Sequence, residues 1–195
     1  MMKRHLLVVF FVLFCGGLAF GQCDLAYDVI DDFDSTRVVT AAAVNIGYMI
    51  PSKYEIETGA KMVEEAKILF GFTREEEAST FFITLVTMER KVFKIGTGHN
   101  VLFKIVTEGF EDVVGLYNNP TRGEFDPATN MRKYHHTCLV PLDAFYRFAN
   151  GSIEKIRINY DDFKKTIKLT PDQQEAIKEA VRCVGKAAEM YPVRP

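Results

Sequence analysis

Polar and apolar residues alternate in several short runs of the chain, and each run predicts a strand with one buried face. In residues 153–160, Ile156, Ile158 and Tyr160 share one side, and Lys155, Arg157 and Asn159 share the other. Residues 163–169 repeat the arrangement, with Phe163, Lys165, Ile167 and Leu169 opposed to Lys164, Thr166 and Lys168. Residues 67–73 set Ile68, Phe70 and Phe72 on one face. Residues 79–88, STFFITLVTM, are apolar on both faces, which suits a central strand. The charged REEE between these two runs predicts a hairpin with a polar loop. Residues 38–49 are β-branched and small-apolar, and also read as strand.

Turn chemistry divides the rest. KIGTGHN, residues 94–100, is a glycine-bearing turn into a strand over 101–106, and Gly109 separates that strand from FEDVVGLY, giving a second hairpin. Residues 118–130, NNPTRGEFDPATN, are dense in turn formers and predict an exposed loop, the first place to look for a binding surface. Two helices are expected. Residues 141–148 space Leu142, Phe145 and Phe148 helically, and Asn150-Gly151 suits a stop because both tolerate the left-handed conformation. The second helix starts at Thr170 as N-cap, with Pro171 in the first helical position and Gln173 three residues after the cap. Ile177, Ala180, Val181, Val184, Ala188 and Tyr191 form its apolar stripe, with Cys183 at the border. The pattern predicts an α+β fold: an antiparallel sheet of about six to nine strands, a C-terminal amphipathic helix packed on it, and one short helix.

The first residues carry a different signal. Lys3, Arg4 and His5 precede an unbroken apolar run over residues 6–14, and Ala19 and Gly21 stand at −3 and −1 of a cut before Gln22. This is the pattern of a secretory signal peptide, with an uncleaved membrane anchor as its main rival, and the run is shorter than the ~20 residues a spanning helix needs. Lipid attachment is disfavoured, because Phe14 precedes Cys15 and Gln22 precedes Cys23 where a small residue would be required. The expectation is therefore a cleaved peptide over residues 1–21, one globular domain over 22–195, and secretion or export to the periplasm. No second long apolar stretch follows, so no membrane span is expected in the mature chain.

Removing Lys3 and Arg4 takes the basic count from 24 to 22 against 26 acidic residues, so the formal charge moves from −2 to −4. Nucleic acid and anionic membranes require clustered positive charge and are disfavoured as partners. Three cysteines remain after cleavage: Cys23, Cys138 and Cys183. An exported compartment permits disulfides, and the odd count leaves at least one thiol unpaired within the chain. One bridge and none stand even, with Cys23–Cys183 slightly ahead of the other pairings.

Candidate chemistry centres on HHTC, residues 135–138. On a strand, adjacent side chains point to opposite faces, so His135 joins the polar face while Tyr134, His136, Cys138 and Val140 share the apolar one. The two histidines cannot chelate one ion together. His136 and Cys138 could supply two zinc ligands, and His99, on its glycine turn, is the remaining histidine of the mature chain. The competing reading is a buried strand with a core thiol and a hydrogen-bonded imidazole. The acidic turns DDFDS and YDDF lack an EF-hand pattern and read as turn formers. Gly-x-Ser-x-Gly, a P-loop and a dinucleotide fingerprint are all missing, so no cofactor is expected.

The early DDF strand, the glycine-turn hairpins around VLFKI (residues 101–105), the late IEKIRINY (residues 153–160) and the closing helix together resemble small exported bacterial domains of unknown function. The resemblance implies no catalytic residues. The leading expectation is a non-catalytic exported domain that binds a protein or envelope component. The alternative, from a different class, is a metal-binding protein or metal-dependent hydrolase using His136 and Cys138.

Overall fold

The computed structural model describes residues 23–56 and 59–190. The expected signal peptide, its cut before Gln22, and Tyr191 lie outside the described residues. No helix among those described is long and apolar enough to cross a membrane.

Among the described residues, mostly antiparallel β structure carries two helices. The strands are β1 (Leu25–Ile30), β2 (Arg37–Ala41), β3 (Val44–Asn45), β4 (Met49–Ile56), β5 (Gly59–Glu64), β6 (Ala66–Glu75), β7 (Ala78–Glu89), β8 (Gly98–Thr107), β9 (Phe110–Asn118), β10 (Glu124–Asp126), β11 (Met131–Val140), β12 (Ser152–Asn159) and β13 (Lys164–Lys168). Helix α1 is Leu142–Asn150 and α2 is Pro171–Ala187. One eleven-stranded sheet runs β1-β2-β6-β7-β11-β9-β8-β12-β13, with β3 added beside β6 and β10 beside β11, while β4 and β5 form a separate hairpin.

This sheet is larger than the six to nine strands the pattern predicts, and the added strands explain why. β1 is exposed along almost its whole length, so it has no buried face to impose alternation. β3 and β10 are two and three residues long, too short to show a period. β10 lies inside the segment read as a loop, where Glu124–Asp126 pairs with 131–133 across a turn held by Asp126, whose carboxylate accepts from the Ala128 amide and the Thr129 hydroxyl. The hairpins β6–β7 and β8–β9 fall where the sequence places them.

The sheet curls. β13 lies five places from β7 in the strand order, which in a flat sheet at ~4.8 Å per strand would separate them by about 24 Å. Lys165 of β13 nevertheless donates to Glu89 of β7 at 2.9 Å. Both helices lie on the concave side this creates. Phe145 of α1 packs on Phe81 with ring centroids 4.4 Å apart, and Phe148 sits between Phe70 and Phe103 at 6.1 and 5.0 Å. α2 packs against β2, β6 and β12, burying Ile177, Val181 and Val184. Its start is closed by a capping box: the Thr170 hydroxyl accepts from the Gln173 amide, and the Gln173 side chain accepts from the Thr170 amide.

Helix α1 stops at Asn150, but not through a left-handed residue. Gly151 is extended, at φ −89° and ψ 176°. A Cβ there would lie 2.4 Å from Ile105 Cγ2 and 2.6 Å from Thr107 Oγ1, so close packing against β8 is what requires glycine.

Candidate functional site

Alternation along β11 decides where its side chains go. Tyr134, His136, Cys138 and Val140 are buried on the concave side, while His135, Thr137 and Leu139 are exposed on the convex side. Pairing with β7 sets His136 opposite Leu85, deep in the apolar core. An imidazole there needs partners for two nitrogens, since an unsatisfied buried polar atom costs about 1–3 kcal/mol.

Two neighbouring strands supply them, and a chain of polar groups continues beyond. Asn118 at the end of β9 places Nδ2 3.4 Å from His136 Nδ1, and Thr87 of β7 places Oγ1 3.4 Å from Nε2. The Thr87 hydroxyl lies 3.4 Å from that of Tyr160, which follows β12. Tyr160 in turn donates to Glu89 Oε1 at 3.4 Å, and Lys165 donates to the same oxygen. With the amide donating to Nδ1 and Nε2–H donating to Thr87, every step has one donor and one acceptor, which assigns the neutral Nε2–H tautomer. The individual bonds are long, and the rings add packing. Tyr134 stacks on the imidazole at 5.8 Å with 7° between planes, and Tyr160 meets it edge-on at 6.0 Å.

Protonation follows from this environment. Burial, reinforced by the positive neighbours His135 and Lys165, lowers the His136 pKa to about 4. Burial alone pushes the Cys138 thiol up to about 12. Tyr160 is likewise raised, first by burial, although its hydrogen bond with Thr87 acts the other way. The site therefore holds an uncharged imidazole, an uncharged thiol and an uncharged phenol.

The candidate metal ligands are distributed over both faces of the sheet. His136 and Cys138 are neighbours on the concave side, both fully buried. His99 is exposed on the convex side, edge-on to Tyr117 at 6.2 Å. Among the described residues no group of three or more His, Cys, Asp or Glu side chains is placed to hold a metal ion. Both nitrogens of His136 are already engaged, so a metal would first have to displace Asn118 or Thr87. The early DDF, expected as a strand, is instead a turn between β1 and β2, because its carboxylates bind their own backbone: Asp31 accepts from the Phe33 amide and Asp34 from the Thr36 amide.

A disulfide joins Cys23 to Cys183, with their Cα atoms 5.2 Å apart, and leaves Cys138 as a free, buried thiol. Asn118, Thr87, Glu89 and Lys165 around His136 carry no motif in the sequence. Their one signal is polarity at a core-facing position, as with Thr87 two residues beyond Leu85.

The convex face carries a different feature. Gly71 of β6 pairs with Phe82 of β7, and Phe82 pairs with Leu139 of β11. The bridge Cys138↔Asn118 brings Leu139 beside Tyr117 of β9, whose ring meets His99 of β8. These side chains make a row across five strands. Leu139 is 65% exposed and Tyr117 44%. Gly71 is needed beneath it, because a Cβ there would lie 2.5 Å from Phe82 Cζ and 2.6 Å from the Val39 carbonyl oxygen.

No protein-family model matches the chain, and comparison with curated proteins and with solved structures likewise gives no match.

Proposed function

We propose that this chain is an exported, non-catalytic domain that acts through its surface, as a binding or envelope-associated module. The observation that carries the reading is the division of side chains between the two faces of the sheet. The groups with reactive potential, His136, Cys138 and Tyr160, are turned inward and held uncharged. The convex face instead presents Phe82, Leu139, Tyr117 and His99 as one row. Exposed apolar residues scattered singly need no explanation, but contiguous ones mark interaction surfaces. Export rests on residues 1–21 acting as a signal peptide, and N-terminal sequencing of the exported protein should begin at Gln22.

A photo-crosslinking residue in place of Leu139 tests the surface, with the same residue in place of Lys155 as control. Adducts with an envelope protein or lipid from position 139, and none from position 155, are the expected result. Equal background at both positions would overturn the reading. So would a stoichiometric transition metal lost on His136→Gln, which would instead favour a metal-dependent activity.

A further inference from the structure

Strand β1 is attached to the sheet by little besides its backbone. Only Leu25 is partly buried, and the five residues from Ala26 to Ile30 are all exposed. It pairs with β2 along one edge, with a register shift between Leu25 and Tyr27, and stands at the end of the strand order. A ladder without a buried face is marginal in water. Two further ties supplement it. Arg37 of β2 donates to both carboxylate oxygens of Asp28, at 2.9 and 2.8 Å, in an exposed pair. The other is the disulfide from Cys23, two residues before the strand, to Cys183 in α2.

The helix does not share this dependence. Ile177, Val181 and Val184 sit in the core, and the capping box closes its first turn. The bridge is also reachable from solvent. It forms part of the wall of an open pocket of about 360 Å³, together with Ala43, Glu179, Arg182 and Lys186. Cys23 is the exposed residue of the pair while Cys183 is 6% exposed, so approach from the Cys23 side is the less hindered one.

We propose that Cys23–Cys183 is a redox clasp: a small thiol entering this pocket opens the bridge and frees β1 while α2 stays docked. The thiolate attacks Cys23 Sγ and forms a mixed disulfide. The Cys23–Cys183 bond breaks, and its electron pair leaves on Cys183 Sγ, which takes a proton from solvent. A second thiol then attacks the mixed disulfide, releasing oxidised thiol and leaving Cys23 reduced. Two thiols thus supply two electrons and two protons. Loss of β1 makes β2 the edge of the sheet and bares its backbone donors and acceptors for another strand.

Hydrogen exchange read by mass spectrometry on the mature protein, with and without dithiothreitol in native buffer, tests the clasp. Amides of β1 should exchange at least about tenfold faster after reduction, while those of β7, β11 and α2 change by less than about twofold. Cys23→Ser should reproduce the fast β1 exchange without reductant. Asp28→Ala, with the bridge intact, should keep β1 slow. The proposal fails if reduced β1 stays within about twofold of its oxidised rate, or if protection is lost throughout the sheet. Fast β1 exchange in oxidised Asp28→Ala would also overturn it, since the ion pair and not the bridge would then hold the strand.

Discussion

Lys165 of β13 donates to Glu89 Oε1 at 2.9 Å and lies 2.8 Å from Glu65 Oε1, so one ammonium group joins two carboxylates from the far side of the curled sheet. The Lys165 and Glu89 side chains are only 11% and 12% exposed. Breaking a largely buried pair costs more than the pair contributes, because the remaining charge is left without a partner. Lys165→Met should therefore destabilise the protein by about 3 kcal/mol in urea unfolding. Glu65→Gln, at the more exposed end, should cost less than about 1 kcal/mol. Equal effects from the two substitutions would contradict this account of the contact.

The buried imidazole predicts a pH dependence. The folded pKa of His136, about 4, lies below its ordinary value of 6.5, so the unfolded chain binds the proton more readily. Stability is then complete above about pH 6.5 and falls as pH drops from there toward 4. A shift of this size corresponds to about 3 kcal/mol. His136→Gln cannot titrate, so the difference between its stability and that of the wild type should shrink by about that amount over the same window. Parallel curves for the two proteins would place the acid sensitivity elsewhere.

Glycine 71 should tolerate no side chain. Gly71→Ala forces a methyl group against the Phe82 ring and the Val39 carbonyl oxygen. Overpacking of this kind costs about 1–3 kcal/mol. Gly109→Ala makes a useful contrast: its φ of +87° strains an alanine backbone, yet nothing lies within 4 Å of the added carbon. Restoring space by Phe82→Leu should recover part of the Gly71→Ala loss and none of the Gly109→Ala loss, as measured by a double-mutant cycle.

Cys138 should be unreactive while the protein is folded. Its thiol is fully buried, with a pKa pushed up to about 12, so almost no thiolate forms near neutral pH. Iodoacetamide at pH 8 should label it only at the rate of unfolding. Labelling that rises with reagent concentration in native buffer would show direct access instead.

The elements with one buried face were legible in the sequence. Alternation alone separates His135 from His136, and the cap at Thr170 marks the start of α2 within a residue. The same alternation puts Lys165 on the apolar side of its strand, among Phe163, Ile167 and Leu169. What it could not show is the partner, because Glu89 becomes a neighbour only through the curl. The surroundings of His136 were hidden for a similar reason. Asn118 and Thr87 come from separate strands and Tyr160 from the end of a third, and they meet through cross-strand register, a relation that local periodicity does not encode. β1 shows no alternation because all of it but Leu25 is exposed, and residues 38–49 read as one strand because both breaks, Ala42-Ala43 and Ile46-Gly47-Tyr48, are uncharged like their flanks.

The link between Cys23 and Cys183 spans a sequence separation of 160 residues, and it sets how the domain bears tension. A pull applied at Cys23 passes straight into α2 through one covalent bond, and the β1–β2 ladder carries no load. With that bond cut, the same pull acts along the edge of the sheet and peels β1 away one residue pair at a time.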